Sequence, residues 1–243
     1  MVQYVHAVLR NALENGVREE LVARNVARLV QVETPTYDVG RGLTVAQARE
    51  LLAVARAERL HALYVLAVYL GLRRGELLGL VWSDVDLDEG RLQVTRTLQR
   101  VDGALRFVPP KTRHSRRTVP LPGPCVQALR DHRVRQDRER LAADPKWNDL
   151  HGLVFTTTVG TPIEPDNLRR SWDRIRHATG EPPARFHDLR HTCVSLLLDG
   201  GAPPHVVREI VGHSAIDVTM TIYAHASLDE KRTVMNRLGQ RLA

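Results

Sequence analysis

Lysine is nearly missing from this chain. Of 35 basic residues only Lys111, Lys146 and Lys231 are lysine, and the other 32 are arginine. Such a bias points to a GC-rich genome. A lysine kept inside the run KTRHSRR (111–117) therefore has a task that arginine cannot perform, such as giving up a proton. Cysteine is scarce as well. Cys125 and Cys193 supply no disulfide framework, which suits a reducing cytoplasm, and Cys193 reads as a small buried hydrophobe. Long apolar runs are absent: the stretch 62–70 is far too short to span a bilayer, and no signal peptide precedes the fold. No phosphate-loop or dinucleotide glycine pattern occurs, no Cys/His spacing suggests zinc, and no acidic cluster suggests paired metal ions. The chemistry is expected to need no cofactor, neither metal nor nucleotide.

What is present is positive charge on an ordinary globular composition. The 243 residues are 43% hydrophobic and 26% charged, enough for one large domain or two small ones. The net charge of +7 and a pI near 10.0 favour an anionic partner, with nucleic acid the default.

The stretch 184–226 concentrates the chemistry. His187 and Arg190 lie three apart and share one helix face. Apolar Val194, Leu197 and Leu198 continue that helix to Gly200 and Gly201, a usual exit. Pro203 and Pro204 open a second helix striped by Val206, Val207, Ile210 and Val211. Ser214 to Asp217 reads as a capping box for a third, with Tyr223 near its end. Two short turns thus bring a phenol, two imidazoles and a guanidinium within possible reach of one another. A phosphodiester in its pentacoordinate transition state wants that set. Arginine binds the non-bridging oxygens in a fork, histidine moves a proton near neutrality, and tyrosine can hold the phosphate as a covalent ester. A free tyrosine is only about 0.1% ionised at pH 7, so its hydroxyl needs such neighbours.

HDLRHT, VGHS and TIYAH, separated by 23 residues from Arg190 to His213 and 10 from His213 to Tyr223, resemble the three C-terminal boxes of the tyrosine recombinase (phage integrase) family. GLRRGELLGL, from Gly71, resembles that family's first arginine box. The register places Arg73, rather than its neighbour Arg74, as the second phosphate-binding arginine, with Glu76 at the acidic position that steadies the site. The resemblance implies Tyr223 as nucleophile and Arg73, Arg190 and His213 on the phosphate. It makes His187 the proton-transfer group and Lys111, on a mobile hairpin, the acid for the departing 5′ oxygen. Arg113, Arg116 and Arg117 on the same basic hairpin are expected to contact DNA.

The rest of the chain fits such a domain. Residues 1–30 read as two amphipathic helices broken near Asn15 and Gly16, too small to bury both stripes alone. By resemblance they are a remnant, the last helices of a core-binding domain, with 31–42 a linker and 43–243 the catalytic domain. Thr44 and Gln47 form a capping box for a helix carrying Leu51 and Ala55, and 59–70 is apolar all round, hence central. Residues 85–121 change period and suggest strands separated by turns at Asp88–Gly90 and Asp102–Gly103. Helices follow over 124–143 and 166–179. Arg169, Arg170, Arg174 and Arg176 on the latter can face DNA phosphates or solvent. A last amphipathic helix, in the tail 227–243, carries Val234, Met235 and Leu238.

The expected fold is therefore mainly α with a small three-stranded antiparallel sheet. The expected activity is site-specific cleavage and rejoining of double-stranded DNA by a homotetramer linked through the C-terminal tail, without a membrane. A type IB topoisomerase, or a truncated DNA-binding remnant that no longer recombines, would use the same residues differently.

Overall fold

The computed structural model describes residues 2–32, 42–109, 116–180, 185–212 and 232. The chain divides into two compact units, Met1–Val39 and Gly40–Ala243. In the first, helix α1 (Val2–Arg18) runs unbroken through Asn15 and Gly16, where a break was expected. A mid-helix glycine costs only about 1 kcal/mol, and here the returning chain clamps the helix. The Asn25 amide donates to Arg10 O at 2.8 Å and to Glu14 Oε2 at 2.9 Å. The second expected helix is a single 3₁₀ turn, Val26–Leu29, capped by the Asn25 side chain. Between turn and helix lies an apolar groove of about 500 Å³ lined by Val5, Leu9, Val26 and Val30.

The larger unit is built around helix α3 (His61–Leu70), whose residues are buried on nearly every side, as its sequence demands. Leu63, Tyr64 and Leu66 are fully buried. Helix α2 (Val45–Ala55) precedes it and carries the expected capping box between Thr44 and Gln47. Helix α5 (Gly123–Ala143) and helix α7 (Asp188–Asp199) pack on α3. Helix α6 (Pro165–Ala178) buries Leu168, Trp172 and Ile175, and Ser171 on it accepts the Tyr64 hydroxyl at 2.7 Å. Helix α8 (Pro204–Val211) opens on its two prolines and ends at left-handed Gly212, with Val207 and Val211 inward.

The strands depart from expectation in one respect. A three-stranded antiparallel sheet forms from β1 (Val85–Asp86), β2 (Arg91–Val94) and β5 (Arg117–Pro120), in that order, with Leu92 facing Val119 and Val94 facing Arg117. Strands β3 (Thr97–Val101) and β4 (Ala104–Val108) form a separate ribbon, turned at Asp102 and Gly103, both at positive φ. The ribbon diverges because β3 lies against short helix α4 (Arg74–Leu78) instead. A Cβ on Gly75 would stand 2.8 Å from Leu98 O, and one on Gly79 3.0 Å from Leu98 N. Glycine at 75 is what permits that approach, and any side chain at 79 would crowd it. Among the described residues no helix is long and apolar enough to cross a membrane.

Candidate active site

Helix α3 ends at Gly71, whose φ of 59° is left-handed and whose missing side chain leaves room for Cys193 and Val211. The exit delivers Arg73 to the position before α4. Its backbone N–H donates to Glu76 Oε2 at 2.9 Å, and its guanidinium to Glu76 Oε1 at 2.8 Å and Gly212 O at 2.9 Å. Arg74, its neighbour, is exposed and lines the same cleft, with no bond to Glu76 among those described.

Arg190 stands one turn into α7 and is only 3% exposed, with Nη1 donating to Gly71 O at 2.6 Å. Burial first, and then the charge of Arg73, pull its guanidinium down to about 9, with Glu76 opposing. Arg190 therefore stays charged at neutral pH, in a place where positive charge is in excess. An entering oxyanion relieves that excess. His187 caps the start of α7 at the open side of the same place. The residue is exposed, yet protein crowds part of it. That burial, then the positive neighbours His191 and Arg190, hold its imidazole below the usual histidine range. It is thus neutral at pH 7 and can accept a proton. The His191 ring stands perpendicular to it, 5.4 Å away between centres.

Arg73 and His187 lie together in the wall of a cleft of about 1010 Å³. Six arginines line it against the carboxylates of Glu164, Asp166 and Asp173. The arginines of α6, left open by the sequence, sort by face. Arg169 and Arg176, seven apart, line the cleft, whereas Arg174 turns to Glu58 at 3.3 Å. Arg100 and Arg185 line the cleft too, and sequence reasoning missed both. Only the Asp-Gly turn that folds Arg100 back offered a signal for the first. Asp188, three residues on and accepting from the Arg185 backbone at 2.7 Å, offered one for the second.

Arg117 differs from its expected role. Its side chain is 6% exposed and points inward, where it grips Glu76, itself 4% exposed, with Nη2 3.0 Å from Oε2. Burial would push the Glu76 carboxyl up, but the Arg117 hydrogen bonds and charge, followed by the Arg73 N–H and charge, hold it below the usual carboxylate range. Arg116, which precedes β5, is exposed. Lys111, Arg113, His213 and Tyr223, with the tail 227–243 apart from Arg232, lie outside the described residues. Tyr64 is fully buried, and burial pushes its hydroxyl up to about 12.

A helical domain thus sets buried guanidiniums and a neutral imidazole beside a basic cleft. The model of the phage integrase family matches residues 41–230, and the chain belongs to that family. It is 33% identical to a tyrosine recombinase XerC-like protein of Caldanaerobacter subterraneus subsp. tengcongensis, over 98% of this chain and 65% of that protein. It is 37% identical to an integrase of Streptomyces ambofaciens, over 91% of this chain and 59% of that protein. The Tn1549 transposon integrase, solved in complex with transposon right end DNA, superposes with a TM-score of 0.81 at 25% identity. That match covers 98% of this chain and 79% of the other. The chain thus spans about 59–65% of the length of the two relatives.

Proposed function

We propose that this chain carries the catalytic apparatus of a site-specific DNA recombinase that cuts and rejoins double-stranded DNA through a 3′-phosphotyrosyl link. The observation that carries the reading is the convergence of Arg73, buried Arg190 and neutral His187 beside one basic cleft. The family relatives named integrase and recombinase support it. In this reading the Tyr223 hydroxyl attacks the scissile phosphorus as the phosphorus–O5′ bond breaks. His187 takes the phenolic proton, Lys111 gives one to the departing 5′ oxygen, and Arg73, Arg190 and His213 hold the extra charge on the non-bridging oxygens. A 5′-hydroxyl from a second duplex then attacks the phosphotyrosyl phosphorus, forming one new phosphodiester as the bond to Tyr223 breaks and its oxygen takes back a proton. Four copies acting on paired sites, with the tail 227–243 of each docked on a neighbour, complete the exchange.

The test uses nicked duplexes tiling the DNA on either side of the gene. One of them should trap a covalent protein–DNA adduct with the wild-type chain and none with Tyr223→Phe. An adduct of equal yield in Tyr223→Phe refutes the nucleophile. Relaxation of a supercoiled plasmid without exchange between two sites would instead make the protein a topoisomerase.

A further inference from the structure

The guanidinium of Arg117 binds two other elements of the domain at once, α8 and α4. Its Nε donates to Ile210 O at 2.7 Å, its Nη1 to Glu76 Oε1 at 3.2 Å and its Nη2 to Glu76 Oε2 at 3.0 Å. Ile210 O is among the last carbonyls of α8, which the helix itself leaves without a donor and where its dipole is negative. Arg73 supplies the second donor at that end, to Gly212 O. A Cβ at Gly212 would lie 2.8 Å from Arg117 Nη1, so the guanidinium reaches its place only because residue 212 has no side chain.

The sequence positions of these contacts give them meaning. Arg117 is the first residue of β5 and follows the segment 110–115 that carries Lys111. Gly212 immediately precedes His213. Glu76 is the carboxylate that orients Arg73. We propose that Arg117 is a positioning residue, a latch that fixes the start of β5, just beyond the segment 110–115 with Lys111, and the end of α8 before His213 to one carboxylate, Glu76, and through it to Arg73. The inference rests on the recombinase reading, because it assigns the latch to the alignment of that reading's catalytic groups. A phosphate-contacting role is a poor fit for a side chain 6% exposed whose fork already lies on a carboxylate. Lysine cannot replace it, since one ammonium cannot fork onto Glu76 and also cap Ile210 O.

The test compares the wild-type chain with Arg117→Met and Arg117→Lys, at a temperature where each is folded by circular dichroism. Three quantities are read: the rate of adduct formation on the nicked duplex, the affinity for it with its salt dependence, and the titration of the Glu76 carboxyl by carbon-13 NMR. Arg117→Met should slow adduct formation by about 100-fold, the scale of a misplacement near 1 Å. Affinity and salt slope should be unchanged, and the Glu76 midpoint should rise. Arg117→Lys should recover only part of the rate, while restoring most of the Glu76 midpoint by its charge. A salt slope reduced by about one in Arg117→Met would make the residue a direct phosphate contact and overturn the latch. An unchanged adduct rate would overturn it too, whatever happens to the melting temperature. If the wild-type chain forms no adduct on any duplex, the recombinase reading fails by itself. The carboxyl titration then decides the latch alone: an unchanged midpoint overturns it and a raised one upholds it.

Discussion

Glu76→Gln is the substitution whose cost can be worked most directly from the structure. The carboxylate is 4% exposed and accepts from Arg73 N, Arg73 Nη1, Arg117 Nη1 and Arg117 Nη2 at 2.8–3.2 Å. Glutamine keeps the shape and can still accept the Arg73 N–H. It removes the negative charge, and it points an amide donor at a guanidinium donor. Arg73, 38% exposed on its side chain, can turn to water and adds little. Arg117, 6% exposed, cannot, and breaking a buried pair from one side costs about 3–5 kcal/mol. A loss near the lower figure is a large part of the 5–15 kcal/mol that holds a typical domain. For a domain of this size it lowers the melting temperature by roughly 10 °C. Urea unfolding followed by the fluorescence of Trp172, 3% exposed, measures it. The double variant Glu76→Gln with Arg117→Met removes both charges, and it should be more stable than Glu76→Gln alone by at least about 1 kcal/mol. If instead the two single losses add to within about 0.5 kcal/mol, the pair is not coupled and the reasoning is wrong.

Three further outcomes follow from the same geometry. Gly75→Ala sets a Cβ 2.3 Å from Thr97 Oγ1, so it should lower stability by about 1–3 kcal/mol and slow adduct formation by shifting α4; an unchanged melt would mean that β3 does not press on α4. Tyr64→Phe should cost about 1 kcal/mol for the lost bond to Ser171 and leave adduct yield intact, and a lost adduct would reopen the identity of the nucleophile. His132 is buried, with Nε2 on Val154 O and Nδ1 without a partner, and burial holds its pKa below the usual value, as it does for His61, His187 and His191. The unfolded chain binds these protons first, so the stability they contribute is whole above a pH of about 6.5 and is lost as pH falls through their folded values. Urea midpoints that stay level from pH 7 down to 5 would contradict this. His132→Gln should flatten the decline.

Much of the site was legible because local chemistry forces it. The all-apolar run 62–70 has no face fit for water, so it had to be the central helix. Gly71 had to end that helix, and HDLRHT had to put His187 and Arg190 within one turn. Those constraints are short in sequence, and the order and spacing of the boxes carried the family. Contacts between distant segments were not legible. KTRHSRR presents four basic residues that look alike along the chain, yet Arg117, unlike exposed Arg116, turns inward, because a buried carboxylate from α4 and a carbonyl from α8 meet at its strand position. The arginines of α6 divide between cleft and flank by which neighbour each face finds. The three-stranded sheet formed as expected, while β3 and β4 make a ribbon of their own that seats β3 against two glycines of α4. Sequence determined which groups this protein has and in what order. The tertiary structure decided which of its many arginines face the cleft and which one is spent on holding the others, since a charge takes its role from the partners that burial leaves it.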